Sequence, residues 1–202
     1  VSVSEDAVID DSGRASFTAR FESNLLDKFF TYDAIYPAQS VSFDQGVYNE
    51  LVKVTLPDVQ HPTAESFDPM ADILVAQHQV YDKQPTELSM RFRRLVALGA
   101  MSFVNMPEDE LVNRVDISVV ADDSNQPPLA GCNLVNCVEG RVFEYGYEGV
   151  SSTLSLIYDT PVPVATTVYF MTNPMRLAEG DRMTLRVVTD KATYTRTVEF
   201  TD

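Results

Sequence analysis

The chain has 202 residues, enough for one large β domain or two small ones with a buried core. Its 30 Asp and Glu against 15 Lys and Arg give a net charge of −15. That balance argues against nucleic acid, bound largely by neutralising phosphates, and against an anionic membrane surface, and no 18-residue apolar run offers a membrane-spanning helix.

In chain order, short apolar stretches alternate with turn signals. Residues 14–21 read as a strand, with Ala15, Phe17 and Ala19 on one face and Ser16, Thr18 and Arg20 on the other. Residues 28–36 carry Phe29, Phe30, Tyr32 and Tyr36. In 51–56, Val52, Val54 and Leu56 alternate with polar or larger neighbours, and 72–76 follow as a fourth strand. Residues 85–104 are ambiguous. Leu88, Phe92, Leu95 and Leu98 would line a helix, whereas Met90 and Phe92 alternate with Arg91 and Arg93 as in a strand. The alternation slips at Arg93-Arg94 as a bulge would make it do, so a long bent strand is preferred. Residues 114–120 place Val115, Ile117 and Val119 on one face. Residues 151–158, 166–171, 183–188 and 194–200 complete the set. Period-2 patterning bounded by Pro, Gly, Asn and Asp predicts an all-β sandwich. The polar stretch Met106-Pro107-Glu108-Asp109-Glu110 is the expected boundary between two sandwiches, 1–106 and 107–202, and 122–128 read as a surface loop.

The inventory for catalysis is thin. His61 and His78 are the only histidines, one in a Gln-His-Pro loop and one at a strand exit. Neither sits in a motif that supplies a partner, so both read as surface residues. No phosphate loop, nucleophile elbow, dinucleotide fingerprint or HExxH pattern is present. The acidic pairs Glu5-Asp6, Asp10-Asp11 and Asp122-Asp123 and the run Glu108-Asp109-Glu110 match no calcium-loop spacing and read as solvated turns. The expectation is a non-enzymatic protein without cofactor or metal.

Cys132 and Cys137 have four residues between them. A tight hairpin would hold them within disulfide range, two buried thiols are the alternative, and a metal site lacks supporting ligands. The chain has no Trp, which weakens a sugar-stacking role. Tyr145 and Tyr147, flanking Gly146, are the best candidates for ligand-contacting rings on a loop. Arg91, Arg93 and Arg94 form the basic cluster, read first as a wet strand face paired with carboxylates and second as an anion or partner patch.

The order of several local patterns resembles the fimbrillin-like surface proteins, related to type V pilins, of Gram-negative gut and oral anaerobes. Gly13-Arg14-Ala15-Ser16-Phe17 leads into Thr31-Tyr32-Asp33-Ala34-Ile35-Tyr36-Pro37, similar to that family's AxYP strand. Leu56-Pro57-Asp58-Val59-Gln60, the stretch 66–76, the stretch 90–98 and the Leu129-Ala130-Gly131 turn follow in the family's order. Val168-Tyr169-Phe170, residues 180–185 and residues 194–200 look like its closing strands. The resemblance spans nearly the whole chain. It implies tandem transthyretin-like or immunoglobulin-like sandwiches, and export to the cell surface or outer membrane as a lipoprotein. It also implies a role in a fimbrium, or pilus, or in adhesion through β-strand exchange with other fimbrial subunits or host or bacterial surface proteins. Glycans are the alternative partner. Val1 opens directly into a Ser/Asp/Glu-rich stretch, so an export signal or lipid-bearing cysteine is expected upstream of it.

Overall fold

The computed structural model describes residues 8–9, 15–16, 29–42, 50–121 and 126–201. The strands are β1 Val8–Ile9, β2 Ala15–Ser16, β3 Phe30–Tyr32, β4 Ile35–Tyr36, β5 Val41–Ser42, β6 Leu51–Leu56 and β7 Val59–Gln60. They continue with β8 Leu74–Ala76, β9 Gln79–Tyr81, β10 Phe92–Arg94, β11 Ala97–Met101 and β12 Leu111–Val120. Then come β13 Ala130–Asn136, β14 Arg141–Ser151, β15 Thr153–Pro163, β16 Val168–Thr172, β17 Arg182–Thr189 and β18 Thr193–Glu199. Helix is confined, among the described residues, to two single 3-10 turns. The chain is all β, as its alternation predicts.

Two compact units form. The first comprises Val1–Tyr32 and Gln79–Leu88. Within it β1 pairs with β2 and β3 with β9, and the rings of Tyr32 and Tyr81 meet edge-on at 6.0 Å.

The second unit comprises Asp33–His78 and Ser89–Asp202. It contains a five-stranded sheet, ordered β18-β17-β12-β15-β7, and a four-stranded sheet, ordered β14-β13-β6-β5. A smaller β10-β8-β4 sheet and a β11-β16 ribbon complete it. Val115, Ile117, Leu154 and Leu156 of the larger sheet share one buried core with Val54, Leu56 and Val135 of the smaller. Two sheets closing their apolar faces over a common core make a sandwich. In β12 the alternation of Val115, Ile117 and Val119 is set by the pleat. A register shift between Val112 and Arg114 resets the phase, so that Val112 also turns inward.

Strand pairing crosses the expected boundary at Met106. β6 pairs with β13, β7 with β15 and β11 with β16. The chain therefore does not divide into 1–106 and 107–202. The polar 106–110 stretch is instead the turn into β12, where Glu110 N–H donates to Pro107 C=O at 3.4 Å. The ambiguous stretch 85–104 contains no helix. It holds two strands, β10 and β11, which join different sheets across the buried pair Leu95-Val96. Of the strand predicted at 14–21, Ala15–Ser16 is seen as β2, and 17–21 lie outside the described residues.

Candidate functional site

Two features of the second unit bear on function: a sheet edge and a groove. The edge is β18. All seven of its residues from Thr193 to Glu199 pair with β17 in unbroken register, and no described strand lies on its other side. Hydrogen bonds at the two ends of the ladder, Thr189 N–H to Ala192 C=O and Phe200 N–H to Asp181 C=O, both 2.9 Å, fix its phase. Ala192, Tyr194, Arg196, Val198 and Phe200 direct their main-chain groups toward β17. By the alternation of an antiparallel ladder, Thr193, Thr195, Thr197 and Glu199 direct theirs outward.

The other edges of the two large sheets are blunted or incompletely described. β14 has three register irregularities against β13. β7 is two residues long and runs into Pro62, and β5 is described only for Val41–Ser42. Bulges and short edge strands are the usual protections against strand addition. β18 has neither, nor a proline.

The groove has a volume of about 280 Å³ and is lined by Ala76, Gln77, His78, Arg91, Phe92, Arg93, Val138, Glu139 and Gly140. One side comes from the antiparallel pair β8–β10, where Ala76 faces Phe92 and Val75 faces Arg93. The other side is the turn between β13 and β14, where Glu139 N–H donates to the Asn136 side chain at 2.9 Å. Arg94 is spent on Asp72, through paired bonds of 2.6 and 2.9 Å. Arg91 and Arg93 have no carboxylate partner among the described residues. His78 Nδ1 lies 2.8 Å from Asp33 Oδ1, so that nitrogen carries the proton it donates.

No protein-family model, curated protein or solved structure matches this chain.

The residues singled out in sequence fall in different places. Tyr145 and Tyr147 lie within the strand β14, not on a loop. Tyr145 is half-buried, and burial pushes its hydroxyl pKa up. Tyr147 is exposed but carries the Lys53 ammonium 5.1 Å from its ring centre. Cys132 and Cys137 are buried free thiols, the second of the two alternatives left open by their spacing. The reason is geometric. β13 pairs continuously with β6 from Gly131 to Asn136, so no hairpin brings the two together. At roughly 3.3 Å per residue, the four steps from Cys132 to Asn136 alone span about 13 Å, twice a disulfide's reach. Burial pushes the Cys137 thiol up to about 11.

Sequence reasoning missed several partners, because each comes from a distant strand. His61 meets Asp159 at 3.0 Å on the surface, 98 residues away. Glu110, read as part of a solvated turn, is buried and accepts hydrogen bonds from Thr189 at 2.6 Å and Tyr194 at 2.7 Å. Asp109 is paired with Lys191. The acidic pairs at 5–6, 10–11 and 122–123 lie outside the described residues. No group of three or more His, Cys, Asp or Glu suited to a metal is found among the described residues.

On the face of β12 opposite Ile117, Asp116 bonds Arg114 at 2.6 Å, Ser155 at 2.9 Å and Arg186 at 3.1 Å. Burial pushes its carboxyl up, but these three donors more than offset that and hold it below the usual 3.8. A carboxylate held below its unfolded value stabilises the fold above that value. The contribution is lost as pH falls through the folded value. Urea unfolding at about pH 6 and about pH 2.5 should therefore show a larger acid loss for the wild type than for Asp116→Asn. Equal losses would show that the network contributes nothing.

Proposed function

We propose that this protein is a non-enzymatic cell-surface adhesion or fimbrial subunit that acts by accepting an extended segment from a neighbouring subunit at β18. The observation that carries this reading is the seven-residue edge in regular register, with its outward main-chain groups unpaired among the described residues. In β-augmentation the added strand gains affinity from main-chain hydrogen bonds and specificity from pockets for alternate side chains. Tyr194, Thr195, Thr197 and Val198 are residue types that favour strands. The resemblance to fimbrillin-like proteins, in which a donated strand completes a neighbour's sheet, supports the same reading. On this reading the protein is exported and lipid-anchored at the outer membrane.

Thr195→Pro tests the idea. Proline removes the outward N–H of Thr195 and leaves the β17 ladder intact, since prolines are tolerated where an edge N–H faces solvent. The full-length protein recovered from its native envelope should migrate as a ladder of oligomers. The Thr195→Pro protein should be monomeric, with its unfolding midpoint little changed. A wild type that is monomeric in the envelope, or a variant that assembles normally, would overturn the proposal.

A further inference from the structure

We infer that the groove between the β8–β10 pair and the β13–β14 turn is a binding site for a carboxylate-bearing sugar, held by Arg91 and Arg93. The chain has 30 acidic residues for 15 basic ones, so a surface arginine meets a carboxylate readily. Arg94 and Arg141 do so, with Asp72 at 2.6 Å and Glu139 at 2.7 Å. Among the described residues Arg91 and Arg93 do not, although Glu139 lines the same groove. The Glu139 carboxylate is turned to Arg141 instead, leaving the groove with two guanidinium groups unmatched by any described carboxylate.

The backbone holds this arrangement in place. Arg91 C=O accepts from Gln77 N–H at 2.9 Å, which extends the β8–β10 ladder past Phe92. Arg91 and Arg93 stand two apart on an extended chain, so they share a face. Gly140 packs beside one of them, since a Cβ there would be in ordinary contact with Arg93 Nε at 3.8 Å. A guanidinium is a planar fork that matches the two oxygens of a carboxylate.

The remaining lining selects the body of the ligand. Phe92 and Val138 are exposed apolar groups at the groove, and the Gln77 side chain supplies both a donor and an acceptor. Apolar surface beside a few polar groups suits the faces and hydroxyls of a sugar ring. The 280 Å³ volume lies just under the range of roughly 300–1,000 Å³ usual for small-ligand pockets. That suits a single ring better than an extended acidic peptide, and β10 has only three residues to pair with one. This site is separate from β18, and it does not depend on strand addition.

Calorimetric titration at low ionic strength should detect binding of methyl galacturonoside and none of methyl galactoside, which lacks only the carboxylate. The double variant Arg91→Ala/Arg93→Ala should weaken the galacturonoside at least about tenfold, the scale of one charge-assisted bond. Arg176→Ala, an exposed arginine outside the groove and outside β18, should leave it unchanged. Both groove arginines are exposed, so the double variant should unfold at the wild-type midpoint. The inference fails if the galacturonoside does not bind, if the galactoside binds equally, or if the double variant binds as well as the wild type. It also fails if a glutamate-rich peptide binds more tightly than the sugar in an arginine-dependent way, which would make the groove a peptide site. Assembly of the double variant should be normal and sugar binding by Thr195→Pro intact, so failure of one reading is distinguishable from failure of the other.

Discussion

Replacing Gln60 with leucine should destabilise the protein by about 2–5 kcal/mol, read from the urea midpoint. Gln60 is fully buried. Its Nε2 donates to the Met171 C=O at 2.7 Å, and its Oε1 accepts from the Met171 N–H at 2.9 Å. The side-chain amide thus serves one residue of β16 as a neighbouring strand would. Nε2 also reaches the Pro57 C=O at 3.2 Å. Leucine fills similar space but offers neither donor nor acceptor, so two main-chain groups of β16 are stranded in the interior. Each costs roughly 1–3 kcal/mol when left unsatisfied. Gln39→Leu, at an exposed position, should shift stability by no more than about 0.5 kcal/mol. A Gln60→Leu protein as stable as the wild type would mean that Met171 finds other partners.

Gly131→Ala should cost about 2–5 kcal/mol, from backbone strain and overlap together. Gly131 has φ +130°, a conformation that side chains rarely adopt. A Cβ there would lie 2.7 Å from the Gly149 carbonyl oxygen and 3.2 Å from Val150 Cα. Both are backbone atoms of β14, so relief requires the strand to move rather than a side chain to turn. Gly149→Ala provides the comparison. Its φ is +57°, and a Cβ would meet nothing within 4 Å. Only the left-handed penalty of roughly 1–2 kcal/mol applies there. Equal losses for the two variants would show that the approach of β13 to β14 is not rigid.

β13 and β14 are also the elements least legible in the sequence. β13 reads Ala-Gly-Cys-Asn-Leu-Val-Asn, with two asparagines and a glycine where a strand pattern wants β-branched residues. It is nevertheless central in its sheet, between β6 and β14. Its polar residue Asn133 is satisfied from afar: its amide donates to Asn173 Oδ1 at 2.8 Å, and its oxygen accepts from Gly146 N–H at 3.0 Å. No local rule anticipates a partner 40 residues away. In β14 the register irregularities hide the period of two. By contrast the second half of β6 was legible, because Val54 and Leu56 are buried while Thr55 is exposed, although Lys53, on the outward phase, is buried too.

The same division holds for the candidate sites. Arg91, Arg93 and Arg94 are a visible cluster in the sequence, but which of them is neutralised depends on Asp72, two strands away in the chain order, and on Glu139 turning to Arg141. The threonines of β18 are visible as a strand, but whether its edge is covered depends on the strand order of the sheet.

The amino-acid sequence by itself determined the all-β class and inward-facing residues such as Val54, Leu56, Val115, Ile117 and Val119, because the pleat converts alternation along the chain directly into burial. The tertiary structure alone decided how the halves of the chain interleave, that Cys132 and Cys137 stay apart, and which edge and which arginines are left without partners among the described residues. Most of those outcomes depend on pairings between residues far apart in the chain, such as β6 with β13 and β7 with β15, and local periodicity carries no information about which distant strand lies alongside.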